Sequence, residues 1–149
     1  MMIGEICNRV VIFAYEKMPL SDATKLMREH HVGSLVVVKE EGPGRIPIGI
    51  ITDRDIVVEV VAEGLDHKLL TVGEIMGREL VTAREQDNML DILQVMRRRG
   101  IRRVPVVTAS GSLVGIVTID DLLELVAEEL DDVVKAIASE RQRETHVRR

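Results

Sequence analysis

Aromatic residues are almost missing from this chain. Phe13 and Tyr15 are the only two, and there is no tryptophan. A core without rings has to be filled with Val, Ile, Leu and Met, and the stacking platforms that single-stranded nucleic acid uses are lacking. Cysteine is just as scarce: Cys7 stands alone, which excludes an intrachain disulfide and any multi-cysteine zinc site. No apolar run approaches the ~18 residues of a membrane span. Met1 to Glu5 contains no basic stretch leading into an apolar one, so no secretory signal is expected and the cytoplasm is the expected location. Positive charge is in deficit as well. A net charge of -5 and a pI near 5.4 argue against a general binder of nucleic acid or membrane surfaces. A phosphate loop, a nucleophile elbow and a metal triad are all lacking, so neither a catalytic residue nor an enzyme is expected. His30-His31 resembles a metal pair, but neighbours at a helix end point apart and no third ligand is evident, so no metal site is expected.

What is present is a repeat. Shifted by 69 positions, Ile3-Gly4-Glu5-Ile6-Cys7 meets Val72-Gly73-Glu74-Ile75-Met76, Glu16 meets Glu85, Met27-Arg28 meets Met96-Arg97, and Val37-Val38 meets Val106-Val107. After a loop three residues shorter in the second copy, Gly49-Ile50-Ile51-Thr52-Asp53-Arg54-Asp55 meets Gly115-Ile116-Val117-Thr118-Ile119-Asp120-Asp121 at a shift of 66. Apolar positions stay in phase throughout, which marks an internal duplication. Cys7 aligns with Met76, so a buried thiol is expected there.

Each copy opens on a short amphipathic turn. A strand follows (10–14; 80–83), then a helix with apolar residues at helical spacing, such as Leu20, Ala23, Leu26 and Met27. Two strands come next (34–38 and 48–51; 104–107 and 113–117), joined by turns carrying Gly42-Pro43-Gly44 and Ser110-Gly111. A last helix starts at Asp55 in the first copy and at Asp120 in the second. The fold class is therefore α/β (α+β): two pseudo-symmetric β-α-β-β-α repeats, residues 2–63 and 72–127, joined by a bridge at 64–71. Val-rich strands without polar alternation indicate sheets buried on both faces. A unit of roughly 65 residues hides too little surface to be secure alone, so the repeats are expected to pack sheet against sheet with clefts between related elements. Residues 128–149 extend the last helix. Leu122, Val126, Leu130, Val133 and Ile137 form an apolar stripe that needs either the first copy or a second subunit to lie against, and Arg141 to Arg149 read as a frayed basic tail.

Both copies of the Gly-x-x-Thr-x-x-Asp motif read as a buried strand entering a helix N-terminus. Such a turn offers backbone N–H groups and a positive dipole end to an anionic ligand. The same Asp serves equally well as a plain capping residue. The motifs, together with Val72-Gly73-Glu74-Ile75-Met76 and Gly100-Ile101-Arg102-Arg103-Val104-Pro105-Val106-Val107, resemble the CBS-domain family in its tandem-pair form, the Bateman module, over about residues 2 to 127.

The resemblance implies two clefts between the repeats that bind adenine nucleotides (AMP, ADP or ATP) as ligands, with no cofactor required. Asp55 and Asp121 would hold ribose hydroxyls, with Thr52 and Thr118 beside them. The first cleft would join Thr52, Arg54 and Asp55 to Val81-Thr82-Ala83, with Arg102 and Arg103 for phosphate. The second would join Thr118 and Asp121 to Ile12-Phe13-Ala14, with Gly33-Ser34 in place of the arginines. Phe13 would crowd its base pocket and Asp120 would repel phosphate, so the first cleft is expected to bind tightly and the second weakly. The family further implies a homodimer, and with no enzyme, channel or transporter domain expected here, either a separate, unknown protein target reads the signal or the dimer is itself a nucleotide store or sensor. The rival readings are a non-binding scaffold or dimerisation module, a sensor of S-adenosylmethionine, and a nucleic-acid-linked regulator acting through the tail arginines.

Overall fold

The computed structural model describes residues 1–147. The first repeat runs α1 (Ile3–Ile6), β1 (Phe13–Tyr15), α2 (Leu20–His30), β2 (Ser34–Glu41), β3 (Gly44–Thr52) and α3 (Asp53–Ile56), the last passing into a π-helical stretch over Val57–Val61. A 3-10 turn at His67–Leu69 lies in the bridge. The second repeat runs α4 (Val72–Ile75), β4 (Ala83–Arg84), α5 (Met89–Arg99), β5 (Arg103–Val107), β6 (Leu113–Thr118) and α6 (Ile119–Val147). Each repeat builds a three-stranded sheet, in the order β1-β2-β3 and β4-β5-β6, with the first pair parallel and the second antiparallel. Both sheets carry a register shift at the same place, between Val37 and Val38 and between Val106 and Val107. Leu35 to Val38 and Val104 to Val107 are buried without alternation, as sheets covered on both faces require.

Two apolar cores form, and each is closed by the other repeat. Val72 and Met76 of the second repeat's leading turn lie in the first core with Ala14, Leu20, Leu35 and Ile51. Ile3 of the first repeat's leading turn lies fully buried in the second core with Ala83, Ile92, Val104 and Leu122. The backbone follows the same exchange. The amides of Ile3 and Gly4 donate to the carbonyls of Asp87 and Glu85 (both 2.8 Å), and those of Val72 and Gly73 donate to Met18 and Glu16 (2.9 and 2.8 Å). At the sheet edges Asn8 exchanges two bonds with Ile116, and Gly77 exchanges two with Ile50. The leading turns thus belong to repeat order in sequence and to the opposite repeat in space. Cys7, half-buried, packs on the second core, against Gly115.

Several boundaries differ from the sequence expectation. The strand expected at 10–14 joins β2 only at its end, with Phe13 opposite Val36 and the Val36 amide donating to the Ile12 carbonyl (3.4 Å). Asn8 accepts the Val10 amide on Oδ1 (3.0 Å), which turns the chain away, and Val10 is 75% exposed. The strand expected at 80–83 likewise shrinks to Ala83–Arg84. The helix expected from Asp55 begins two residues earlier, and it widens where the Ala62 amide reaches back to Val57 (2.8 Å) and that of Leu65 to Val60 (3.0 Å). The tail expected to fray is helical through Val147, while Arg148 and Arg149 lie outside the described residues.

Two stability predictions come from this geometry. A Cβ at Gly49 would fall on the Gly77 carbonyl oxygen, whereas one at Gly115 would meet the Cys7 thiol at 2.8 Å and the Asn8 carbonyl at 3.0 Å. Gly49→Ala should therefore cost about 2–3 kcal/mol in urea unfolding, more than Gly115→Ala, because the backbone oxygen lies closer at Gly49 and the nearest atom at Gly115 is a side-chain sulfur. At the end of α2, His31 sits in the left-handed region at φ 54°, where the second repeat has Gly100 at φ 64°. His31→Gly should raise stability by about 1 kcal/mol in the same assay.

Candidate functional site: a cavity between the repeats

Each Gly-x-x-Thr-x-x-Asp motif folds as a capping box. The Asp55 amide donates to Thr52 Oγ1 (3.1 Å) and the Thr52 amide to Asp55 Oδ2 (2.9 Å). In the second repeat the Asp121 amide donates to Thr118 Oγ1 (3.2 Å) and the Thr118 amide to Asp121 Oδ2 (3.3 Å). The capping reading of the motif is therefore realised in both copies. It does not exclude the other reading, since a carboxylate has two oxygens with about four acceptor sites, and each cap uses one oxygen of a half-buried side chain.

A cavity of about 210 Å³ lies on the Thr118 side. Val10, Val11 and Ile12 of the first repeat form an apolar wall, and Gly33 and Ser34 of the α2–β2 junction form one end. Ile116, Thr118 and Arg103 come from the second repeat. Arg103 is half-buried, pairs in register with Thr118 across β5 and β6, and makes no salt bridge among the described residues. Asp121 stands directly behind Thr118 at the start of α6. The apolar run leading into β1 is thus a cavity wall: exposed Val10 and half-buried Val11 and Ile12 line a space that also holds the Ser34 and Thr118 hydroxyls and the Arg103 guanidinium.

Three features of the second cleft differ from the sequence expectation. Arg103, assigned to the first cleft, lines the second, because its strand neighbour is Thr118. Phe13 does not line the cavity: its ring packs edge-on against Tyr15 (centroids 5.7 Å apart) with the Arg45 guanidinium 4.6 Å from its centroid. Asp120 does not stand as a bare negative charge, since Arg102 Nη2 donates to its Oδ1 at 3.4 Å. This bond also engages Arg102, which is exposed.

The residues assigned to the first cleft are more scattered. Ala83 is buried in the second core, with its backbone paired to Val106. Thr82 is exposed. Val81 lines a depression with Val95, Arg98 and Arg99 of α5. Arg54 is exposed at the first turn of α3, where its amide is held by Asp53 Oδ1 (2.8 Å). Of the eleven candidate residues, Ile12, Arg103 and Thr118 share one cavity, and Asp121 adjoins it through its cap. Val10, Val11 and Asn8 were not singled out from sequence. The first two lay in the apolar run read as the strand over 10–14. Asn8 carried none, because its contact with Ile116 exists only through the exchange of leading turns.

Two capped strand-to-helix turns related by pseudo-symmetry, one of them meeting a space lined by both halves at Thr118, characterise a tandem-repeat module. The CBS domain model matches residues 3–62 and 72–128, and the chain belongs to the CBS-domain family. It is 35% identical over 136 residues to Hypoxic response protein 1 of Mycobacterium tuberculosis, covering 91% of this chain and 92% of the relative. An uncharacterized protein of Methanopyrus kandleri is 37% identical over 123 residues. The chain spans 61% of that relative and 52% of a mitochondrial CBS domain-containing protein of Arabidopsis thaliana. Among solved structures, the CBS domain pair of protein MJ0100, in complex with 5′-methylthioadenosine and S-adenosyl-L-methionine, superposes with a TM-score of 0.75 at 30% identity, covering 87% of this chain and 98% of that one. Hypoxic Response Protein I with two coordinated zinc ions superposes at 0.72 with 33% identity, covering 83% and 98%. Among the described residues here, no group of three or more His, Cys, Asp or Glu side chains stands close enough to hold a metal ion. No helix is long and apolar enough to cross a membrane.

The capping boxes make a prediction independent of any ligand. Asp55→Ala and Asp121→Ala should each lower stability by about 1 kcal/mol in chemical denaturation of the ligand-free protein, since each leaves a helix-start amide without its acceptor.

Proposed function

We propose that this chain is a regulatory module that senses an adenosine-containing ligand, with AMP, ADP and ATP as the leading candidates, in the cavity on the Thr118 side. The observation that carries the reading is the mixed parentage of that cavity. Its aliphatic wall (Val10, Val11, Ile12) and the Ser34 hydroxyl come from one repeat, while the Thr118 hydroxyl and its cation, Arg103, come from the other. An aliphatic slot suits the faces of a base. The second oxygen of Asp121 suits ribose hydroxyls, which donate to it. Arg103 suits a phosphate, which it can meet with paired N–H donors. At about 210 Å³ the space is below the ~300–1,000 Å³ of pockets that enclose a whole ligand, which favours a held nucleoside with its phosphates extending outward. The cleft with Thr52 and Asp55 is a second, weaker candidate, with Arg54 as its nearest cation.

The module catalyses nothing in this reading. Among the described residues the cavity lining holds no histidine or cysteine, and the one adjoining carboxylate, Asp121, is engaged in its capping box and assigned to ribose hydroxyls. A ligand that touches both repeats shifts their relative packing by its differential affinity for the arrangements, and a separate cytoplasmic partner would read that shift. S-adenosylmethionine is the second reading, favoured by the bound adenosyl compounds of the MJ0100 pair.

Calorimetry with AMP, ADP, ATP, S-adenosylmethionine and methylthioadenosine decides among these. Asp121→Asn keeps an oxygen for the Thr118 amide but presents an amide donor to the ribose, so affinity should fall at least tenfold with little loss of stability. Arg103→Ala should weaken phosphate-bearing ligands about tenfold or more and leave methylthioadenosine unchanged. Saturation at 100-fold the dissociation constant should add about 2.7 kcal/mol of stability. Stabilisation by none of the five would sink the sensing proposal and favour the scaffold.

A further inference from the structure

The outer part of α6 presents an apolar seam with nothing of its own chain against it among the described residues. The helix is 29 residues long, about 43 Å at ~1.5 Å per residue. Its root is fixed: Leu122 is buried in the second core and Leu125 packs beside it. This divides the stripe expected from sequence, because Leu122 turns inward and Leu123 takes its place on the outer face. Leu123, Val126, Leu130, Val133 and Ile137 then step by 3, 4, 3 and 4, the spacing of a two-helix seam, and all five are 41–66% exposed. From Val126 to Val147 every residue is exposed.

Charge along the helix is sorted by position. Asp120 to Asp132 carries seven carboxylates and no cation, whereas Lys135, Arg141 and Arg143 follow, interspersed with Glu140 and Glu144. Two such helices side by side in parallel would set one acidic run against another, with their dipoles aligned. Reversed, the acidic half of one meets the cation-bearing half of the other, and the dipoles oppose. Antiparallel pairing also keeps the seam in register: Leu130 faces the partner's Val133 and Val126 faces the partner's Ile137, giving four apolar layers.

We propose that α6 is a homodimerisation element that pairs antiparallel with α6 of a second copy of this chain, in a seam centred between Leu130 and Val133. The inference does not rest on the ligand-sensing reading, and its test uses no ligand.

Sedimentation of the full chain should give twice the monomer mass of 16.7 kDa. The double variant Leu130→Glu, Ile137→Glu should give the monomer, with unchanged helical content, since both side chains are exposed in the single chain. Orientation is read by disulfide trapping in a Cys7→Ala background. Val126→Cys and Ile137→Cys proteins should cross-link when mixed and fail to cross-link singly. A monomeric parent overturns the proposal. So does a dimer that survives the double substitution, which would move the interface to another surface such as the exposed Val57 and Val61 of the π-helical turn. Self-cross-linking of each single variant would show parallel helices and equally overturn it.

Discussion

The fold depends on a reciprocal exchange of leading turns. Neither repeat completes its own core: Ile3 fills the second, and Val72 with Met76 fills the first. The exchange is held by backbone hydrogen bonds at the same positions in both halves and by a matched pair of ion contacts, Arg9 to Glu85 (2.8 Å) and Arg78 to Glu16 (2.9 Å). These ion pairs are exposed and contribute little to stability. The larger contribution is the burial of the exchanged Ile and Val side chains, each worth roughly 1.5–3 kcal/mol. One consequence is cooperative: separating the repeats would open both cores at once. Another is geometric. The segment leaving each leading turn must cross to its own sheet, and in the first repeat that crossing segment, Val10 to Ile12, is the wall of the cavity.

This arrangement explains which parts of the structure were legible in the sequence. The duplication, the element order and the two strand-to-helix turns followed from periodicity and self-alignment, because they are local or recur at a fixed shift. The exchange left only an indirect trace. Glu16 and Glu85 aligned as a conspicuous match, but their partners Arg78 and Arg9 lie in the other repeat. The strand expected over residues 10–14 failed for a related reason: apolar patterning reports removal from water and cannot tell a sheet interior from a cavity wall. Arg103 was expected beside Thr52 because its distance along the chain from the helix end was clear, while its antiparallel register with Thr118, which brings it to the cavity lining, was not.

The asymmetry between the two clefts rests on single side chains at equivalent positions. Ser34 and Arg103 occupy the same place in the two repeats, each paired with the motif threonine of its own sheet, Thr52 and Thr118. Both nevertheless line the same cavity, one at each end. A cation therefore reaches this cavity from the second repeat, while the first repeat contributes a small hydroxyl that leaves room for it. Arg102 and Asp120 pair with one another at 3.4 Å on the exposed surface beside it, so the carboxylate nearest Thr118 is that of Asp121, held in the capping box.

Thr118 also joins the cavity to the far end of the molecule. It is the last residue of β6, and α6 begins at the next position, so the capping box that faces the cavity is the first turn of the outer helix. The root of α6 is clamped by Leu122 in the core and by the Ile119 amide, which donates to the Arg102 carbonyl at 2.8 Å. A rotation of the second repeat against the first, the motion a ligand shared between them would bias, carries α6 with it as a rigid arm. If the arm is a dimer seam, ligand binding and dimer geometry are linked through one helix. Any factor by which ligand strengthens the dimer is then the factor by which dimerisation strengthens the ligand. Such coupling would need no separate relay, because the cap, the core residue and the seam are consecutive stretches of a single element.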